Sequence, residues 1–330
     1  MVSWQLTGVA ALMRATRKRR FLTAEGGHAM LVRAKGPSDP PAALRRSASV
    51  STRTVAGFDV HRVTRPGARP DLPVVVYLHG GAYVSEIVSQ HWSLVARLAR
   101  ELDVEVWVPV YGLAPDHDAT EAHELVGALL EALYAGGRPC WLAGDSAGGG
   151  LALAATQEAV ARGRSTVRGL TLVAPWLDLG MRNPEVDALE PHDPWLARAA
   201  LRPIADAWAG GLSLDDPRVS PLFGPVAGLP PVDVWVGTRD ITLPDCRLLR
   251  DRLAGVVPVD FHELPGGLHV VPLLPVPEGE EARRRIVARI GRWLQEEGED
   301  QRQHEAGREG GQAHREAGER PLGAVLGQRA

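Results

Sequence analysis

The feature that most restricts how this chain can fold is a series of short β-branched runs, several of them continuously apolar, set between longer helix-like stretches. The runs are Val74 to Leu78, Val104 to Val110, Cys140 to Ala143, Leu170 to Ala174, Val232 to Val236 and Val256 to Leu264. Between them lie helical patterns at Trp92 to Glu101, Glu121 to Tyr134, Gly150 to Ala161 and Asp245 to Leu253. A strand that is apolar on both faces belongs in a parallel sheet covered on both sides. Strand and helix in alternation then predict an α/β domain with a doubly wound, mostly parallel sheet. With 330 residues, 45% of them hydrophobic, the chain can bury a sizeable core.

Two segments break the alternation. Residues 1–50 carry helix-like and loop-like sequence, and residues 178–221 form an insertion rich in Trp and Pro. Both are expected to form a helical cap over a domain spanning 51–294. Between Leu294 and Leu322 there is no Val, Ile, Met or aromatic residue and no further Leu. A segment with nothing to bury predicts a disordered tail over 295–330.

Several functions are excluded early. The formal net charge of -3 offers no basic surface for nucleic acid. Neither Lys18 nor Lys35 follows a glycine, so a phosphate-binding Walker loop is ruled out. His123-Glu124 and His262-Glu263 open a zinc-hydrolase pattern, but Gly127 and Gly266 stand where its second histidine belongs. Cys140 and Cys246 suggest neither a disulfide framework nor a metal knuckle. No run reaches the roughly 18 to 20 apolar residues of a membrane span. The basic cluster at Arg14 to Arg20 follows the apolar run from Val2 to Met13, the reverse of a secretory signal. A cytoplasmic protein is expected, with a homodimer as an open option.

In open α/β sheets, ligands bind beyond the carboxyl ends of the strands, so the residues found there are informative. Gly144-Asp145-Ser146-Ala147-Gly148 follows one strand and precedes a helix. This is the G-x-S-x-G elbow in the strand-turn-helix setting that it requires, and it nominates Ser146 as nucleophile. A serine hydroxyl needs a base to take its proton, and the base needs an acid to orient it. The chain order for this motif is Ser, then Asp or Glu, then His. His269 lies on a loop after the last strand, whereas His262 alternates with Val259 and Phe261 inside that strand. His192 precedes the last strands, and His304 and His314 fall in the tail. Asp240 follows a strand by a short loop, while Asp233 starts that strand and Asp245 opens the next helix. The candidate triad is Ser146, Asp240 and His269. Gly80 and Gly81 follow another strand end, and their amides, with that of Ala147, are the expected oxyanion donors. His79 reads as a brace for that loop. Tyr83, Trp92 and Trp195 are candidates for the substrate pocket, and Trp176 for core packing.

Several motifs taken together resemble a known family. His79-Gly80-Gly81-Ala82-Tyr83, the elbow, Tyr111-Gly112-Leu113-Ala114-Pro115-Asp116, Pro175-Trp176-Leu177-Asp178-Leu179 and Asp216 to Leu222 occur in order. They are similar to blocks of the hormone-sensitive-lipase family of α/β-hydrolases, the bacterial family IV esterases. Gly112, Asp116, Gly150 and Ala82 depart from the usual pattern without touching the proton-transfer residues. The run Tyr83-Val84-Ser85-Glu86 through His91-Trp92 resembles the steryl-acetyl-hydrolase branch. The resemblance implies an α/β-hydrolase fold with an N-terminal cap, no metal and no organic cofactor. It also implies hydrolysis of small-molecule carboxylic esters through an acyl-enzyme. An amidase or peptidase with the same triad, or a non-catalytic ligand-binding member, are the other readings.

Overall fold

A computed structural model describes residues 2–296. The chain divides into two units, Met1–Ala288 and Arg289–Ala330. Of the second unit, residues 289–296 are described and are helical. The tail expected over 295–330 lies, from residue 297 onward, outside the described residues.

The first unit is built on one eight-stranded sheet in the order β1-β2-β4-β3-β5-β6-β7-β8. The strands are β1 Ser49–Val55, β2 Phe58–Thr64, β3 Val74–Leu78, β4 Glu105–Pro109, β5 Cys140–Asp145, β6 Val167–Val173, β7 Val232–Gly237 and β8 Val259–Leu264. Pairing is parallel from β4 through β8 and antiparallel for β1 with β2 and for β2 with β4. Every residue of β3, β4, β5 and β7 is buried, which is why these strands are largely apolar, with Glu105, Asp145 and Asp233 as their charged members.

The hairpin β1-β2 was not expected before the first sheet strand. All but two residues of β1 are exposed, so it carries no apolar signal. Its turn consists of Ala56 and Gly57 alone, with φ of 47° and 84°. Two consecutive positive φ values match the twist of a tight hairpin, and glycine takes one of them at no steric cost.

The helices follow from local signals. In helix Ala119–Ala135 the Asp118 carboxylate accepts from Thr120 N at 2.8 Å, and Glu121 Oε2 accepts from Asp118 N at 3.2 Å. These bonds satisfy amides that the first helical turn leaves open. Helix Ala24–Val32 of the N-terminal segment packs on helix Arg198–Ala209 of the insertion. They meet closely at Gly27, where a Cβ would lie 2.2 Å from Ala200 O. The two irregular segments of the sequence thus form one layer. A smaller core joins helix Trp4–Met13 to the loop after β8 through Leu6, Ala10, Leu268 and Val271.

The topology places the site. Strand β4 lies on one side of β3 and β5 on the other, so the winding reverses at β3. At such a switch point the loops leaving adjacent strands part and open a crevice beyond their carboxyl ends. The loops after β3 and β5 begin at His79 and Ser146.

Candidate active site

Ser146 occupies the turn between β5 and helix Ala147–Ala161, with φ 51° and ψ -119°. A side-chain-bearing residue is strained there, and the surrounding glycines make the turn possible. A Cβ on Gly144 would sit 2.4 Å from Gly148 O, and one on Gly148 would sit 2.1 Å from Leu78 O. The turn is held by main-chain bonds: Ser146 N donates to Val173 O, and Ser146 O accepts from Trp176 N.

The other two candidates meet this serine. His269 Nε2 lies 2.9 Å from Ser146 Oγ, and His269 Nδ1 lies 2.8 Å from Asp240 Oδ2. All three residues are buried. A carboxylate can only accept, so Nδ1 carries the proton and Nε2 presents its lone pair to the serine hydroxyl. Asp240 is oriented in turn by Thr242 N, which donates to its Oδ1 at 3.0 Å. The loops bearing Asp240 and His269 interlock, since Arg239 N donates to Gly267 O at 2.8 Å. Burial opposes charge on the imidazole, but Asp240, then Asp193 and Asp145, raise the His269 pKa above its ordinary value.

A family model described as an alpha/beta hydrolase fold matches residues 75–273. The chain belongs to this family. It is 33% identical over 186 residues to a triacylglycerol lipase of Mycobacterium tuberculosis, covering 56% of this chain and 38% of that protein. It is 31% identical over 209 residues to an ethyl acetate hydrolase of Pseudomonas putida, covering 58% of this chain and 63% of that one. The chain thus spans less than two thirds of either relative. A crystal structure of an esterase from the bacterial hormone-sensitive lipase family superposes with a TM-score of 0.70 at 27% identity. That match covers 88% of this chain and 99% of the other. The resemblance carried by the motifs therefore holds at the level of the family.

The loop after β3 requires one correction in this alpha/beta-hydrolase. Gly80 N donates to Asp145 Oδ1 at 3.0 Å, in a buried setting, so this amide is committed and leaves the set of oxyanion donors. The same carboxylate accepts from Tyr77 Oη at 2.6 Å and from His91 Nε2 at 3.3 Å. The backbone then takes φ of 131° at Gly81, 53° at Ala82 and 60° at Tyr83. Among the described residues no hydrogen bond engages the amides of Gly81, Ala82 or Ala147. The amide of Ala82, which the sequence did not nominate as a donor, is thus open beside that of Gly81. His79 is buried, stacks on Tyr111 at 4.6 Å and donates from Nδ1 to Gly80 O at 2.7 Å. Burial, aided by the nearby His91, lowers its pKa to about 4, so it braces the loop as a neutral ring.

The candidate pocket residues separate. Trp195 meets the His269 ring edge-on at 5.7 Å. Tyr83 is buried, stacks on Trp208 at 4.0 Å and donates from its hydroxyl to Ala147 O at 2.7 Å. It therefore braces the residue that follows Ser146 in the elbow. Trp92 packs with His61 of β2, in the antiparallel edge of the sheet, and is not brought together with Ser146. Trp176 is buried beside Tyr83. Among the described residues, no group of three His, Cys, Asp or Glu could hold a metal ion, and no helix is long and apolar enough to cross a membrane.

Proposed function

We propose that this chain hydrolyses small-molecule carboxylic esters, of short to medium acyl length, through an acyl-enzyme on Ser146. The observation carrying this reading is His269 held between Ser146 Oγ and the buried Asp240 carboxylate. Such an arrangement lets Nε2 take the hydroxyl proton as Oγ attacks the ester carbon, while Asp240 stabilises the imidazolium. Negative charge then develops on the former carbonyl oxygen, where the amides of Gly81, Ala82 and Ala147 would receive it. Collapse expels the alcohol, which takes its proton from His269. Water, deprotonated by the same nitrogen, attacks the acyl-enzyme and releases the acid. The names of the relatives support ester chemistry.

The test is turnover of a p-nitrophenyl acyl series against the matching anilides. Esters are expected to react and anilides to lag far behind. Ser146→Ala and His269→Ala should each lower kcat by several orders of magnitude, because triad members act as a unit. A folded Ser146→Ala variant with undiminished ester turnover would sink the reading, and equal rates on anilides would favour an amidase.

A further inference from the structure

We propose that Asp193 is a positioning residue of the triad, carried on the insertion, which fixes the backbone beside Asp240 and sets Trp195 against His269. This assignment rests on the ester-hydrolase reading above. Asp193 is fully buried. Its Oδ1 accepts from Trp195 N at 2.7 Å and Leu196 N at 2.9 Å, and its Oδ2 accepts from Ile241 N at 3.0 Å. Ile241 directly follows Asp240, and Trp195 presents its edge to the His269 ring. One carboxylate thus bonds to the neighbours of the acid and places the ring beside the base.

The stretch from Glu190 to Leu196 forms a strap that Lys18 also holds. Lys18 is buried and donates from Nζ to Glu190 O at 3.0 Å and to Leu196 O. The charged groups facing Asp193 are Asp240 from the loop after β7, His269 from the loop after β8 and Lys18 from the N-terminal segment. Burial first, and then the charge on Asp240, raises the Asp193 pKa to about 6. When ionised, Asp193 adds to the field of Asp240 and Asp145 that favours the His269 imidazolium. A carboxylate is needed because all three of its partners are donors. Asparagine keeps the shape, but its amide nitrogen must face at least one N–H, so one side of the bracket fails.

The experiment compares wild type, Asp193→Asn and Lys18→Met by pH-rate profile and by NMR titration of the histidine rings. Asp193→Asn should lose about tenfold in kcat/KM, as expected for coupled neighbours. Its acidic limb should move to lower pH, because a charge favouring the imidazolium is gone. Lys18→Met loosens the same strap without removing that charge, so its limb should not move downward. An unmoved limb in Asp193→Asn, or an equal downward shift in both variants, would overturn the proposal. In the unmodified chain, the His269 resonances should also sense a second ionisation near pH 6. A single inflection there would overturn the proposal even if Asp193→Asn failed to fold. The NMR titration does not depend on turnover. An inactive wild type showing both inflections would therefore sink ester hydrolysis while leaving the Asp193 coupling in place.

Discussion

Gly81→Ala separates stabilisation of the transition state from binding of the ground state. Gly81 has φ 131°, a conformation that side-chain-bearing residues rarely adopt, and its ideal Cβ would sit 2.4 Å from Ser85 O and 3.1 Å from Ser85 C. The obstacle is backbone and cannot swing aside. Ser85 N and Val84 N both donate to Gly81 O, at 2.9 and 3.1 Å, so opening the turn breaks two hydrogen bonds. The least costly response is rotation at residue 81, which turns its amide away from the developing oxyanion. Residual strain should cost about 1 to 3 kcal/mol of stability. Loss of one donor should lower kcat by about 10² to 10³. KM should stay within a few-fold, because the ground-state carbonyl uses the donor weakly. The assay is steady-state kinetics on p-nitrophenyl acetate, with thermal melts and fluorophosphonate labelling to confirm a folded chain and a reactive serine. A rise in KM with kcat untouched would refute the reasoning and make the loop a wall of the substrate pocket.

Three further outcomes follow from the same geometry. His269 must be neutral to accept a proton and its pKa is raised, so kcat/KM should fall on the acid side through a limb lying above the ordinary histidine value of 6.5; a limb below that value would contradict the carboxylate field around it. His79 is depressed to about 4; between there and its ordinary value the unfolded chain binds a proton that the native state refuses, so stability should drop by about 3 kcal/mol as pH falls through that window. Denaturant melts at several pH values check this, with His79→Phe expected to flatten the slope. Trp208→Ala should cost about 3 to 5 kcal/mol by emptying a buried site, and should also lower kcat, because Tyr83 loses the ring that holds its hydroxyl on Ala147 O.

The parallel part of the sheet was legible because its inner strands are largely apolar, and β3, β5 and β7 fall within two residues of their expected bounds. The hairpin β1-β2 was not, because what makes Ser49–Val55 a strand is its pairing with Phe58–Thr64 and not its own side chains. Ser146, Asp240 and His269 could be nominated because strand ends share one edge of a parallel sheet, so order along the chain translates into proximity. The donor amides were less accessible to sequence reasoning. Gly80 and Gly81 look alike in sequence, and what distinguishes them is the Asp145 carboxylate reaching back to Gly80 N and the φ of 131° at Gly81. Asp193 carried a turn signal, an aspartate before Pro194, with its carboxylate bonding to the amide two residues on. Nothing local directs its second oxygen to Ile241, since 48 residues separate the two. Trp92 shows the converse: a tryptophan near a glycine-rich loop in sequence, turned by its helix toward β2.

The buried carboxylates at this edge divide the work of rigidity between them. Asp145 directly precedes Ser146 and binds Gly80 N, Tyr77 Oη and His91 Nε2, so the elbow is bonded to the loop after β3. Asp240 binds His269 Nδ1 and Thr242 N, which joins the loops after β7 and β8. Asp193 binds Ile241 N and two amides of the insertion, which ties that pair to the layer above. Apolar packing could fill the same volume at lower desolvation cost, but it has little directional preference and would let a backbone amide turn by tens of degrees. A carboxylate with two or three fixed donors resists that rotation. Reorganisation in the transition state is costly because charge appears on atoms that were neutral a moment before, and donors already aimed there need not move. The desolvation of these acids is thus a stability cost incurred on folding, and its return is a site whose polar groups are already oriented when the substrate arrives.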